Sequence, residues 1–418
     1  MSRRTGLVES RLPALASPAY RRFIVGALIG TLGAWMQGTA QGWLVFELTN
    51  SPGLLGLTSA VANSPTLFLS LFAGVLADQI DRRRLLVATQ LAAAVLAALL
   101  AVLTMTGVVA FWHVLVIAGL GGAVGALAMP AFTAVVSTIV PRPAIGNAVA
   151  LNSAQFNLGR IIGPTAAGAA IAAGGLALAF WANAAALLIV AVVLATIRIG
   201  PASELARAEA SVWANLWAGI AHLRRDRTIR VLVLLAVAPA LFILNYMPLM
   251  PVYARDILQI GAPGLGLLTA AIGVGALSGA LSVAVLRPSG GSGRLLIAGL
   301  TLVSTSLVGF AVSRWVPLSL VALAVLGASQ VAYYTTTSTL IQMLVPARLR
   351  GRVSSIYVLA SLGVIPFGNL FAGIVAERFG PPWALAGGGV ATLLVVGYVV
   401  ATFPELVRLE AGSIEARE

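Results

Sequence analysis

Long apolar stretches broken by short polar segments run from Phe23 to Phe403. By length and hydropathy they fall at about 23–46, 53–77, 85–106, 112–136, 144–173, 176–197, 230–252, 263–286, 295–312, 316–344, 352–376 and 383–403. Each is long enough to cross a hydrocarbon core as a helix. The widest break, 199–228, holds Glu204, Arg207, Glu209, Arg224, Arg225, Asp226 and Arg227 and parts six spans from six. Within it Trp213, Leu216, Trp217, Ile220 and Leu223 keep helical spacing, as in an amphipathic helix lying at a membrane interface. The pattern predicts an all-α membrane protein with a tail (1–22), a six-helix bundle (23–198), a linker (199–228), a second bundle (229–404) and a final tail (405–418).

Composition agrees with this picture, since 59% of residues are apolar and 9% charged, against about a quarter charged in soluble domains. The net charge of +13 comes from arginines in short clusters between spans. Such clusters set topology and do not form a face for nucleic acid. With loops assigned alternately, all but Arg160, Arg255, Arg314 and Arg378 fall on one side. The positive-inside rule makes that side, and both termini, cytoplasmic. Arg3, Arg4, Arg11, Arg21 and Arg22 precede the first apolar run, which is too long for a signal peptide and reads as a retained helix. With no cysteine and only His113 and His222, no disulfide framework, metal cluster or cofactor is expected.

A constant offset of 205 pairs Gly56 with Gly261, Gly74 with Gly279, Arg82 with Arg287, Gly122 with Gly327 and Pro141 with Pro346. It also pairs Gly146 with Gly351, Gly163 with Gly368, Gly168 with Gly373 and Gly175 with Gly380. Backbone-determining residues recur in equivalent spans, as in duplicated transporters, whose substrate site forms at the midplane between repeats.

Between the second and third spans stands Gly74-Val-Leu-Ala-Asp78-Gln-Ile-Asp-Arg82-Arg83-Arg84. It resembles the G-x-L-x-D-x-x-x-R-[RK] signature of the major facilitator superfamily. The resemblance implies that fold, twelve transmembrane helices in two six-helix bundles, and a cytoplasmic gating latch at Gly74, Asp78, Arg82 and Arg83. The second half keeps Gly279 and Arg287 but has Val283 opposite Asp78, so its latch is degenerate. Gly159-Arg160-Ile-Ile-Gly163-Pro164 resembles the core of the superfamily's antiporter motif. The same spacing also serves tight packing alone. Trp35-Met36-Gln37 to Gln41-Gly42-Trp43, Asn147 to Pro164, and Thr335 to Val353 resemble the enterobactin exporter-like, drug-efflux branch of bacterial facilitators. That branch implies export of siderophores, drugs or other amphipaths from the inner membrane of a bacterium.

Polar side chains inside the spans are the candidate substrate pathway. Arg160 is the most costly of them, at roughly 3 kcal/mol on insertion scales. Gly26, Gly30, Gly33, Gln37 and Gln41 form one stripe, which should face the cavity or a neighbouring helix. Asn152, Gln155, Gly159 and Gly163 form another, and Gln330, Tyr333 and Thr337 a third. Asn63, Asn245, Tyr246 and Asn369 add single groups. Glu47 and Asp256 are the proton-coupling candidates, with Glu47 and Arg160 as the favoured pair. The resemblance, together with the lack of a G-x-x-x-x-G-K-[ST] loop, implies export by alternating access driven by proton antiport. The expected partners are a small-molecule substrate and membrane lipid, with no nucleic acid, and the transporter is read as a monomer. The rivals are an importer or uniporter on the same fold and a membrane-embedded lipid-modifying enzyme, for which no catalytic cluster is visible.

Overall fold

The computed structural model describes residues 12–197, 221, 223, 226–286, 292–345 and 349–408, and among them every regular element is helical. Helix α1 is Pro18–Thr49, α2 Pro52–Gln79, α3 Arg82–Met105 and α4 Phe111–Ile139. A continuous run Ile145–Thr196 is two helices joined at Gly174 and Gly175, here α5 (145–173) and α6 (176–196). Gly175 has φ +77°, a conformation that a side chain would strain. Helix α7 is broken into Arg227–Phe242 and Tyr246–Val252, followed by a π-turn at Tyr253–Ile257. Then come α8 (Gly261–Leu286), α9 (Ser292–Val312) and α10 (Val316–Leu344). Helix α11 is broken into Arg350–Leu362 and Ile365–Phe379, and α12 is Pro381–Thr402. Every span expected from hydropathy meets a helix at its place. The breaks in α7 and α11 were not foreseen.

By length and composition ten described stretches could cross a membrane, one of them containing both α5 and α6. Large apolar side chains such as Val95, Leu394 and Tyr398 are more than 60% exposed. In water such a surface would aggregate, whereas lipid solvates it. Most of the linker 199–228, residues 1–11 and 409–418 of the two tails, and most of the expected amphipathic helix lie outside the described residues.

The chain divides into two compact units. The first holds Met1–Thr49, Val61–Ala208 and Ala262–Gly266, and the second Asn50–Ala60, Glu209–Gly261 and Leu267–Glu418. In the first unit, one end of the bundle is pinned by a cluster of Tyr20, Phe23, Leu86, Val135, Leu194 and neighbours. Polar ties reinforce it. The Tyr20 hydroxyl donates to the Ala148 carbonyl at 2.8 Å, and the Ser17 hydroxyl to the Ile139 carbonyl at 2.8 Å. In the second unit, the Ser51 hydroxyl and the Gly53 N–H both donate to the Glu377 carboxylate at 2.8 Å. This carboxylate satisfies donors at the start of α2, where the helix dipole favours negative charge.

The repeat is visible inside the units. A Cβ on Gly163 would lie 2.6 Å from Trp35 Cβ and 2.9 Å from the Leu32 carbonyl oxygen. The equivalent Gly368 meets the Leu241 carbonyl at 2.6 Å and that of Ala240 at 3.0 Å. Ala240 and Leu241 are the offset partners of Trp35 and Met36. Gly380, the counterpart of Gly175, shares its left-handed φ at +92°. Here the repeat is a repeat of backbone geometry and of contact.

Candidate functional site

Helix α5 carries the densest chemistry of the first unit. Gly159 and Gly163 lie one turn apart and admit α1 at close range, with Thr31, Leu32 and Trp35 filling the space that side chains would take. Further along, Gly168 and the Pro164 carbonyl meet residues 262–266, with Gly266 against Pro164 and Gly168 against Ala262 and Pro263. Advancing about 100° per residue, Arg160 projects from the sector of α5 between these two packed faces. Its guanidinium carbon lies 5.8 Å from the centre of the Trp35 ring. Phe156, one turn earlier, meets the same indole edge to face, with ring centres 6.0 Å apart. Trp35 is thus flanked by a cation and an aromatic ring from one helix, and all three side chains are partly or largely exposed.

The polar stripe on α1 faces a helix. Gly26, Gly30 and Gly33 pack on Val193, Val190 and Asn183 of α6, and the Gln37 carbonyl accepts a hydrogen bond from the Asn183 amide. Asn183, a partner absent from the sequence reading, sat unmarked in a run of alanines. Gln41 is half-buried on the same helix, and Asn63 is exposed on α2. On α5 the Gln155 amide donates to Asn152 Oδ1 at 3.4 Å, and Gln155 Oε1 is buried with no partner among the described residues.

The second unit has its own polar group. The Tyr246 hydroxyl donates to Gln330 Oε1 at 3.4 Å, and Tyr333 is buried on α10. The Tyr334 and Tyr357 rings lie tilted by 43° with centres 5.9 Å apart, and the Tyr357 hydroxyl is buried. The tyrosine cluster at 334 and 357 was not foreseen, because its members lie on different helices. Thr337 turns its hydroxyl to its own helix, onto the Tyr333 carbonyl at 2.7 Å. Asn245, at the break in α7, donates to the Leu241 carbonyl at 3.1 Å and the Gly368 carbonyl at 3.3 Å. The Oδ1 atoms of Asn245 and Asn369 are buried without a described partner. Such atoms disfavour a purely apolar surrounding.

Around the signature loop, Asp81 caps α3 by accepting from the Arg84 N–H at 3.0 Å. Arg83 donates to the Ala195 carbonyl at the end of α6, where a cation complements the helix dipole. Arg82 is half-buried at the start of α3. Gly74 and Asp78 lie near the end of α2, at positions whose side chains fall outside the described residues. Of the coupling candidates, Asp256 pairs with Arg255 at 2.7 Å and Glu47 is exposed. Trp35, which Arg160 touches, lies twelve residues before Glu47 on α1, a rise of about 18 Å. Glu47 and Arg160 therefore cannot pair directly. No group of His, Asp or Glu among the described residues could hold a metal ion.

Comparison with known proteins matches this architecture. A family described as transmembrane secretion effector matches residues 9–418. The chain is 27% identical to the multidrug efflux pump Tap of Mycolicibacterium fortuitum, over 93% of this chain and 97% of Tap. It is 25% identical to the staphyloferrin A transporter of Staphylococcus aureus, over 89% of this chain and 93% of that one. Among solved structures it resembles the nucleoside transporter NupG with a TM-score of 0.75, at 12% identity, covering 92% of this chain and 100% of that one. The helices, the repeated glycine contacts and these matches together make the chain a multi-pass membrane transporter of the transmembrane secretion effector family, within the major facilitator superfamily.

Proposed function

We propose that this transporter exports small amphipathic molecules from a bacterial cell by alternating access, driven by proton antiport. The observation that carries the reading is the likeness to a multidrug efflux pump along 93% of the chain. The likeness to a staphyloferrin A transporter extends the class to siderophore-like compounds. The geometry supports it through mid-helix polar groups beside aromatic surface, at Arg160, Trp35 and Phe156 in the first unit and at Tyr246, Gln330 and Tyr333 in the second. These residues, with Gln37, Gln41, Asn63, Asn152, Gln155, Asn245, Thr337 and Asn369, form the proposed pathway. Bundles at 23–198 and 229–404 would alternate access to it, with both termini in the cytoplasm of the inner membrane. Gly74, Asp78, Arg82 and Arg83 form the proposed latch. Glu47 and Asp256 remain the carboxylates proposed to carry the proton, each acting without Arg160.

Inverted vesicles carrying the protein test the reading with a panel of dyes, drugs and siderophores. Uptake that requires a proton gradient and weakens in Asp78→Asn supports it. Full uptake without a gradient removes proton antiport. Accumulation inside right-side-out vesicles instead would make the protein an importer.

A further inference from the structure

We propose that the Arg160–Trp35–Phe156 group is an anion subsite, and that the transporter's preferred substrates carry a carboxylate on a flat apolar body. The inference rests on the transport reading above and names the substrate class of that site.

The charge inventory gives the sign. Where the structure describes them, Asp and Glu stand within two or three residues of a helix end, in a turn or outside the helices, as at Glu47, Asp81, Asp226, Asp256, Glu377 and Glu405. Arg160 is the one arginine placed in the middle of a span among the described residues. Whatever polar contacts Arg160 makes within the protein, they leave its formal charge unchanged. Among the described residues no acid lies at this depth, so Arg160 brings a positive charge there, and a substrate anion gains what a substrate cation loses.

The fork and the rings give the shape. A guanidinium over an indole face keeps its edge donors in a plane that suits bidentate pairing with a carboxylate. Phe156 and Trp35 meet edge to face with ring centres 6.0 Å apart, an angled aromatic corner in which an apolar ring can lodge. The glycine contacts fix the group. Gly159 and Gly163 hold α5 against α1 at a distance set by backbone atoms, so cation and rings keep their spacing.

Fluorescein and rhodamine 6G share a xanthene body and differ in charge sign, so the pair tests the inference directly. The purified full chain is assayed for equilibrium binding of each dye, and inverted vesicles for uptake, in wild type, Arg160→Lys and Arg160→Gln. The expected result is a wild-type preference for fluorescein. Its ratio to rhodamine should fall about tenfold or more in Arg160→Gln and by less in Arg160→Lys. A structural role for Arg160 would lower both dyes together and leave the ratio alone, which overturns the inference. So does wild-type preference for rhodamine, or failure of the wild type to bind fluorescein. Arg160-dependent binding of fluorescein without gradient-driven uptake upholds the subsite and defeats the export reading. Gradient-driven export of rhodamine alone does the reverse.

Discussion

Gly163 on α5 has little room to change. Its missing Cβ would meet Trp35 Cβ at 2.6 Å and the Leu32 carbonyl oxygen at 2.9 Å, and a backbone atom cannot swing away. Gly163→Ala should therefore lower stability by about 1–3 kcal/mol, read as an earlier thermal transition in detergent. Gly38→Ala, where nothing lies within 4 Å, should leave that transition close to wild type. The Gln37–Asn183 pair makes a second prediction. A double-mutant cycle with Gln37→Ala and Asn183→Ala should give a coupling of about 0.6–2 kcal/mol. Zero coupling would mean the two amides are independent. At this scale the sequence was half readable. Gln37 stood out in a stripe of period three and four, whereas Asn183 is a lone amide among alanines, and only the fold brings the two together. Arg160 was marked by its depth alone, and its aromatic neighbours could be named only once α1 lay against α5.

Helix boundaries follow from a few side chains at the ends of the apolar runs. Asp81 and Asp226 each cap a helix, accepting from the Arg84 N–H at 3.0 Å and the Ile229 N–H at 3.1 Å. Asp81→Ala and Asp226→Ala should each cost about 1 kcal/mol, whereas the Asn variants should cost little, again by thermal transition. The spans themselves were legible because a bilayer imposes a length that hydropathy reports directly. The breaks were not, because Ile243, Leu244 and Val364 keep the apolar pattern unbroken while the backbone leaves the helix. Pro239 before one break and Gly363 with Pro366 around the other were the available signals. Asn245 bridges the two breaks through the Leu241 and Gly368 carbonyls. Asn245→Ala should leave these acceptors short of a donor and destabilise the second unit by about 1–3 kcal/mol. Wild-type stability in that variant would show that the bond contributes nothing.

Across the whole molecule the duplication holds where it can be checked within a unit. Gly163 and Gly368 each press on the equivalent turn of the first helix of their half, and Gly175 and Gly380 share a left-handed turn. Yet the copies differ in one respect. Residues 243–245 and 363–364 interrupt α7 and α11, whereas their offset partners 38–40 and 158–159 run unbroken through α1 and α5. At the breaks the Ile243 and Leu244 N–H groups both donate to the Pro239 carbonyl, at 2.9 and 3.0 Å, and the Gly363 N–H to the Leu359 carbonyl at 2.8 Å, so the chain turns while these donors stay bonded. The duplicated halves thus share a blueprint but not a contour, the second copy turning at two places where the first runs straight.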